Sequence, residues 1–219
     1  MNKTKTLKLA YLAVIFALTV VMAVTPYVGF IPIIPGVGVS LTLLLIPCAV
    51  AAIVLGKYYG LAAGAFFGAF SMLSAYTQPG SPMDMLFRYP QISVLPRIPV
   101  GLVMAFVYKY GKKLFKKEVP ACIAGAVAGA VTNTALVTLS IWLTVTIAPK
   151  LGYAEALNAF AVFPINLALE IAALAVAVPP IALALKKIPQ FRRWEREAVA
   201  PPKIKADESK TNCEAENDI

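Results

Sequence analysis

The sequence predicts an all-α membrane protein: a bundle of six transmembrane helices with both termini on the cytoplasmic side. Three observations carry this reading. Of 219 residues, 59% are apolar by type and only 14% are charged, whereas a soluble domain carries roughly 25% charged residues, so polar side chains are too few to wet a globule of this size. The apolar residues gather into six runs bounded by charge or by turn residues, near the length of about 20 that crosses a bilayer as helix. Finally, Lys and Arg crowd alternate connections between those runs.

The first run, Leu9 to Val24, follows Lys3, Lys5 and Lys8. Val24, Thr25 and Pro26 make a poor small-residue cleavage site, so it reads as a retained span rather than a removed signal peptide. A connection crowded with Pro26, Pro32, Pro35, Gly36 and Gly38 leads to the second run, Leu41 to Leu55. Lys57 separates this from the third, Leu61 to Tyr76, which ends at Pro79, Gly80 and Pro82. The fourth, Gln91 to Tyr108, is followed by Lys109, Lys112, Lys113, Lys116 and Lys117. The fifth runs from Pro120 to Ile147 and the sixth from Phe163 to Leu185. Seventeen of the twenty basic residues then fall on one side, which the positive-inside rule makes cytoplasmic; Arg88 and Lys150 fall outside, and Arg97 lies within a span.

Residues 1–190 thus form one membrane domain. From 191 the chain is a basic juxtamembrane segment, Arg192, Arg193, Trp194 and Arg196, suited to anionic lipid of the inner leaflet. Beyond it lies a polar tail without periodicity, expected to be disordered. The net charge of +9 is therefore mainly a topology signal and argues for no nucleic-acid partner. The absence of histidine removes the commonest general base and metal ligand. No clustered carboxylates or nucleophile and base stand in its place, so no enzyme is expected. Cys48, Cys122 and Cys213 have no metal-type spacing, and neither a metal nor a cofactor is implied.

Gly60, Gly64 and Gly68 put a bare stripe on the third run, and Gly125 and Gly129 amid Ala121, Ala124 and Ala128 do so on the fifth. In lipid such stripes let helix backbones approach and gain dispersion contacts. Ala10, Ala13 and Ala17 give the first run a small face, open to internal packing or to a partner helix.

An ionisable group in hydrocarbon is costly enough to be a functional candidate, and the spans contain two, Arg97 and Glu170. Counting about 20 residues back from the cytoplasmic lysines sets Arg97 roughly 10 Å and Glu170 roughly 6 Å below the outer boundary. The same count sets Asn133 roughly 6 Å deep. Around that level stand Thr132, Thr134, Asn166, Ser74, Tyr76 and Gln78. Such a cluster suits a polar small-molecule site open to the outside, or an Arg97–Glu170 ion pair holding two helices together.

Several segments are recognisable in order: PGVGVSLTLLLIP running into GKYYG and the glycine-striped third helix, SVLPRIPVGLV around Arg97, TNTALV around Asn133, and NLALEIAALAVAVPP around Glu170. Over residues 7–187 the chain resembles the substrate-binding S component of energy-coupling factor (ECF) vitamin transporters, most of all the pantothenate-type members. The resemblance implies capture of a water-soluble vitamin outside a prokaryotic cell. Delivery would follow by toppling in the membrane, together with a transmembrane coupling subunit and two cytoplasmic ATPases. It also implies docking through an alanine motif, matched by Ala13 and Ala17. The chain itself lacks a P-loop, since Gly56 and Lys57 have no Gly-rich run before them. On this reading Arg97 pairs with the substrate carboxylate and Asn133 serves its hydroxyl or amide groups. Glu170 orients Arg97 or accepts hydroxyl protons, Asn166, Tyr76 and Gln78 add polar contacts, and the first loop and residues 77–89 close over the ligand. The alternatives are an ion- or proton-coupled carrier working alone through Glu170, or an S component for another vitamin.

Overall fold

The structure, a computed structural model, describes residues 3–25, 28–34, 39–79, 81–147 and 153–189. The expectations for the segment from Phe191 onward, and for Lys150, fall outside these residues. Among the described residues, five helical segments are long and apolar enough to cross a membrane: Thr6–Val24, Lys57–Thr77, Pro90–Phe115, Glu118–Ile147 and Ala161–Lys187. They belong to helices α1 (Lys3–Val24), α3 (Lys57–Thr77), α4 with α5 (Pro90–Ser93 and Ile98–Phe115), α6 (Glu118–Ile147) and α7 (Tyr153–Lys187).

The second expected span takes another form. Residues Val39–Thr42 are strand β2, paired antiparallel with β1 (Phe30–Ile34) in the register Phe30↔Thr42, Ile31↔Leu41 and Pro32↔Ser40. Helix α2 begins only at Leu45 and stops at Leu55, where Gly56 turns the chain at φ 102°. Eleven residues reach about 16 Å, half the hydrocarbon thickness. Hydropathy alone fuses the two elements because Leu41, Leu43 and Leu44 continue the apolar run of the helix toward the strand. Being apolar on every face, α2 is a core helix; Leu45, Cys48, Ala49, Ala51 and Ala52 are all buried where it packs on α3, α5 and α7.

The fourth expected span is interrupted. Pro96 lacks an N–H and disfavours helical geometry at Leu95, while Pro99 suits the first turn of α5. Between α4 and α5 the chain therefore turns through Val94–Arg97. A 3-10 helix, Pro82–Arg88, precedes α4, and at its start the Ser81 backbone N–H donates to the Asp84 carboxylate at 2.8 Å.

α6 packs between α5 and α7, and α3 covers α5 and α2. The glycines of α3 permit that approach: a Cβ on Gly60 would stand 2.6 Å from the carbonyl oxygen of Gly101 on α5. At the end of the bundle away from the ribbon, Glu118 pairs with Lys112 at 3.0 Å and Lys186 at 3.7 Å, and Lys186 donates to the Tyr108 hydroxyl. This network ties the α5–α6 turn to α7. Helix α1 is the least buried of the five.

The Gly60–Gly101 crossing gives a graded expectation. Gly60→Val should lower stability by about 1–3 kcal/mol, as overpacking does. Gly111→Ala should stay within about 0.5 kcal/mol, since its Cβ would meet Ala121 only at 3.4 and 3.5 Å. Thermal unfolding in detergent micelles measures both.

Candidate functional site

At the ribbon end of the bundle the helices enclose a cavity of about 340 Å³, within the range of small-molecule sites. Its wall is built on a helical period. Ser71, Ser74 and Ala75 on α3, with Gln78 just past its end, lie three or four residues apart around one face and all line it. Asn133, Thr134 and Val137 come from α6, and Phe163, Asn166 and Glu170 from α7. The ribbon supplies Phe30, Pro32, Ser40 and Thr42, the 3-10 helix supplies Asp84 and Phe87, and the turn between α4 and α5 supplies Arg97.

Arg97 is 4% exposed. Its Nη1 donates to the Ser93 carbonyl at 2.6 Å and the Ile92 carbonyl at 3.4 Å, two acceptors within the interrupted segment. The guanidinium also lies 4.9 Å from the ring centre of Phe67 and 5.1 Å from that of Phe87, within cation–π range of both. Its Nε is buried without a hydrogen-bond partner.

Glu170 is equally buried, within hydrogen-bonding reach of the Thr42 hydroxyl and the Asn133 amide. Its Oε2 and the Asn133 Oδ1 are buried acceptors without partners. Arg97 and Glu170 sense each other's charge, yet among the described residues no direct ion pair joins them. Three residues that each carry a buried polar atom without a partner, one cationic donor and two acceptors, costly to leave unmatched in an apolar interior, thus line one cavity.

The other expected site residues divide. Asn166 lines the cavity, and its Oδ1 accepts the Ser40 N–H at 3.1 Å, tying the ribbon to α7. Gln78 also lines it and donates through Nε2 to the Val24 carbonyl at 3.0 Å, bracing α1 against α3. Tyr76 is turned away: it is 58% exposed, its hydroxyl donates to the Arg88 carbonyl at 3.3 Å, and its ring faces the Arg88 guanidinium. Ala13 and Ala17 are exposed on α1, beside exposed Val14, Leu18 and Val21.

Sequence reasoning misses Thr42, Ser71, Phe67, Phe87 and Asp84. Two signals were available. The spacing of Ser71, Ser74 and Gln78 marks the polar face of α3, and Ser81 with Asp84 three residues later marks a helix start. Nothing local marks the phenylalanines, whose role comes from the cation they flank.

The family model described as "ECF transporter, substrate-specific component" matches residues 7–182. The chain is also similar to the curated "Pantothenate transporter PanT" of Leuconostoc mesenteroides subsp. mesenteroides. Identity is 32% over 111 residues, which are 49% of this chain and 53% of that protein, so the similarity spans about half the relative's length.

The Asn166 contact is directly testable. A neutral hydrogen bond contributes about 1 kcal/mol net, so Asn166→Ala should raise the amide hydrogen-exchange rate of Ser40 about fivefold; an unchanged rate would mean that other contacts hold the ribbon.

Proposed function

The chain belongs to the family of substrate-specific components of ECF transporters, and from that premise we propose that it binds pantothenate in the cavity at the ribbon end and hands it to an ATP-driven transporter. Such a protein is a multi-pass component of the prokaryotic plasma membrane, and its family is one of transporter parts rather than enzymes.

The observation that carries the substrate proposal is that Arg97, Glu170 and Asn133 line one cavity and each carries a buried polar atom without a partner, the cationic donor Nε and the acceptors Oε2 and Oδ1. Pantothenate has a carboxylate at one end and two hydroxyls at the other, with an amide between. Its carboxylate would take the Arg97 end, where a charge-assisted bond is strong. Its hydroxyl protons would meet Glu170 and Asn133, which a purely anionic ligand could not satisfy. The name of the PanT relative points to the same molecule.

The energy would come from partners: a transmembrane coupling subunit and two cytoplasmic ATPases. With β2 and α2 together returning the chain from the ribbon end to Lys57 as a sixth crossing, both termini would be cytoplasmic, on the side of Lys109, Lys112, Lys113, Lys116 and Lys117, leaving the cavity on the outer side. The exposed small-residue face of α1 at Ala13 and Ala17 would meet the coupling subunit, since small residues let helices approach closely in lipid.

Equilibrium binding of radiolabelled pantothenate to purified protein tests the site. Arg97→Ala should weaken binding about 10- to 100-fold, in keeping with loss of a hydrogen bond to a charged group. Arg97→Lys should recover part of this, because it keeps the charge but not the fork. Retained affinity in Arg97→Ala would overturn the carboxylate assignment.

A separate experiment addresses docking. Ala13→Leu with Ala17→Leu should leave pantothenate binding by the isolated subunit unchanged while abolishing co-purification with the coupling subunit. Intact co-purification would place the contact elsewhere.

A further inference from the structure

Arg97 does not choose its own direction. A guanidinium carries five N–H donors on a long stem, and here the group is held through Nη1 by the Ser93 carbonyl at 2.6 Å. Where Ser93 stands therefore decides where the unpartnered Nε points. Ser93 is wholly buried, and its hydroxyl donates to the Gly68 carbonyl of α3 at 3.2 Å. That hydroxyl oxygen also lies 3.5 Å from Nη1.

The seat beneath Ser93 exists only because α3 is bare there. A Cβ on Gly68 would stand 2.7 Å from Val94 Cα and 3.0 Å from the Ser93 carbonyl oxygen, a separation that side chains do not tolerate. One residue earlier, Phe67 sets its ring 4.9 Å from the guanidinium. Backbone and ring of one helical turn of α3 thus hold both the turn and the cation. Neither Ser93 nor Gly68 belongs to the cavity wall, so altering Ser93 removes no group that a ligand could touch.

We propose that Ser93, seated on Gly68, is the positioning residue that aims Arg97 into the cavity, and that this aim sets the preference of the site for a carboxylate over a neutral ligand. The inference rests on the reading that Arg97 meets the ligand carboxylate.

The test compares two probes on purified full-length protein: pantothenate and its neutral analogue with a primary alcohol in place of the carboxylate. Wild type prefers the carboxylate, and Arg97→Ala brings the affinity ratio close to one. Ser93→Ala lowers that ratio about fivefold, the scale of one lost hydrogen bond, while affinity for the alcohol stays within about twofold. Ser93→Cys, nearly the same size and a weak donor, restores part of the ratio. Should Ser93→Ala fail to fold, the ratio in Ser93→Cys decides, reduced for the proposal and unchanged against it. A Ser93→Ala protein that loses affinity for both probes equally, or for neither, overturns the proposal while leaving Arg97 as the carboxylate contact. A ratio unchanged in Arg97→Ala, or a wild type indifferent to the carboxylate, fails the site reading instead.

Discussion

A guanidinium buried among apolar helices is the constraint around which the rest of the bundle is arranged. Removing such a charge from water costs several kcal/mol even after relaxation, and among the described residues no carboxylate contacts it to offset this. Interrupting a helix within the hydrocarbon is itself unfavourable, because freed carbonyls there have no water to bond. Here the two liabilities offset each other: the segment before Arg97 offers the Ile92 and Ser93 carbonyls, and Arg97 donates to both. Phe67 and Phe87 add aromatic faces. The cation is thereby satisfied through Nη1, while its Nε stays buried without a hydrogen-bond partner.

Keeping the interrupted segment inside the bundle requires room, and α3 provides it by carrying no side chain where the turn rests. The enclosure above is held differently. The ribbon is fastened to α7 by the Ser40–Asn166 bond, α1 to α3 by Gln78, and the 3-10 helix to α3 by Arg88 Nε on the Ala75 carbonyl at 3.1 Å. Individual hydrogen bonds contribute about 1 kcal/mol each, so the roof is the weaker part of the enclosure and the close-packed helices are the stronger. Phe87 joins the two, since it belongs to the roof yet touches the cation.

Depth along a span was legible in the sequence, and direction around it was not. Counting from the lysines places Arg97, Asn133 and Glu170 at similar levels, and the structure brings all three to one cavity. The same count admits Tyr76, which lies two residues from Ser74 and so points about 200° around the helix from it, away from the cavity. Asn166 was legible as a polar residue at that level, and it lines the cavity, but its bond to a strand could not be foreseen while that strand read as the start of a span. Runs of apolar residues do not reveal whether a core helix or a spanning one is meant; α2 became distinguishable only once its neighbours were known to surround it. The proline pair flanking Arg97 was visible, but its consequence depended on the bare face of α3 opposite.

The two ends of the bundle are chemically opposed, and what lies between them bears on how a bound solute could leave. On α7, steps of four residues run from Glu170 through Leu174, Val178 and Ala182 to Lys186, about 24 Å of helix. On α6 the parallel series falls from Asn133 through Ala130, Ala126 and Cys122 to Glu118. The intermediate side chains in both series are fully buried, and small residues on α6 let Met104 of α5 pack against its backbone at Gly129. The charged groups of Glu118, Lys112 and Lys186 close the far end. A passage through this floor would have to separate the interfaces that hold the fold together and pull a polar solute past apolar walls. Moving the whole body breaks none of them. Helix α1, exposed and little engaged in the core, is the element through which a partner could grip the bundle at the smallest cost to its packing, and this is where the proposed docking face lies.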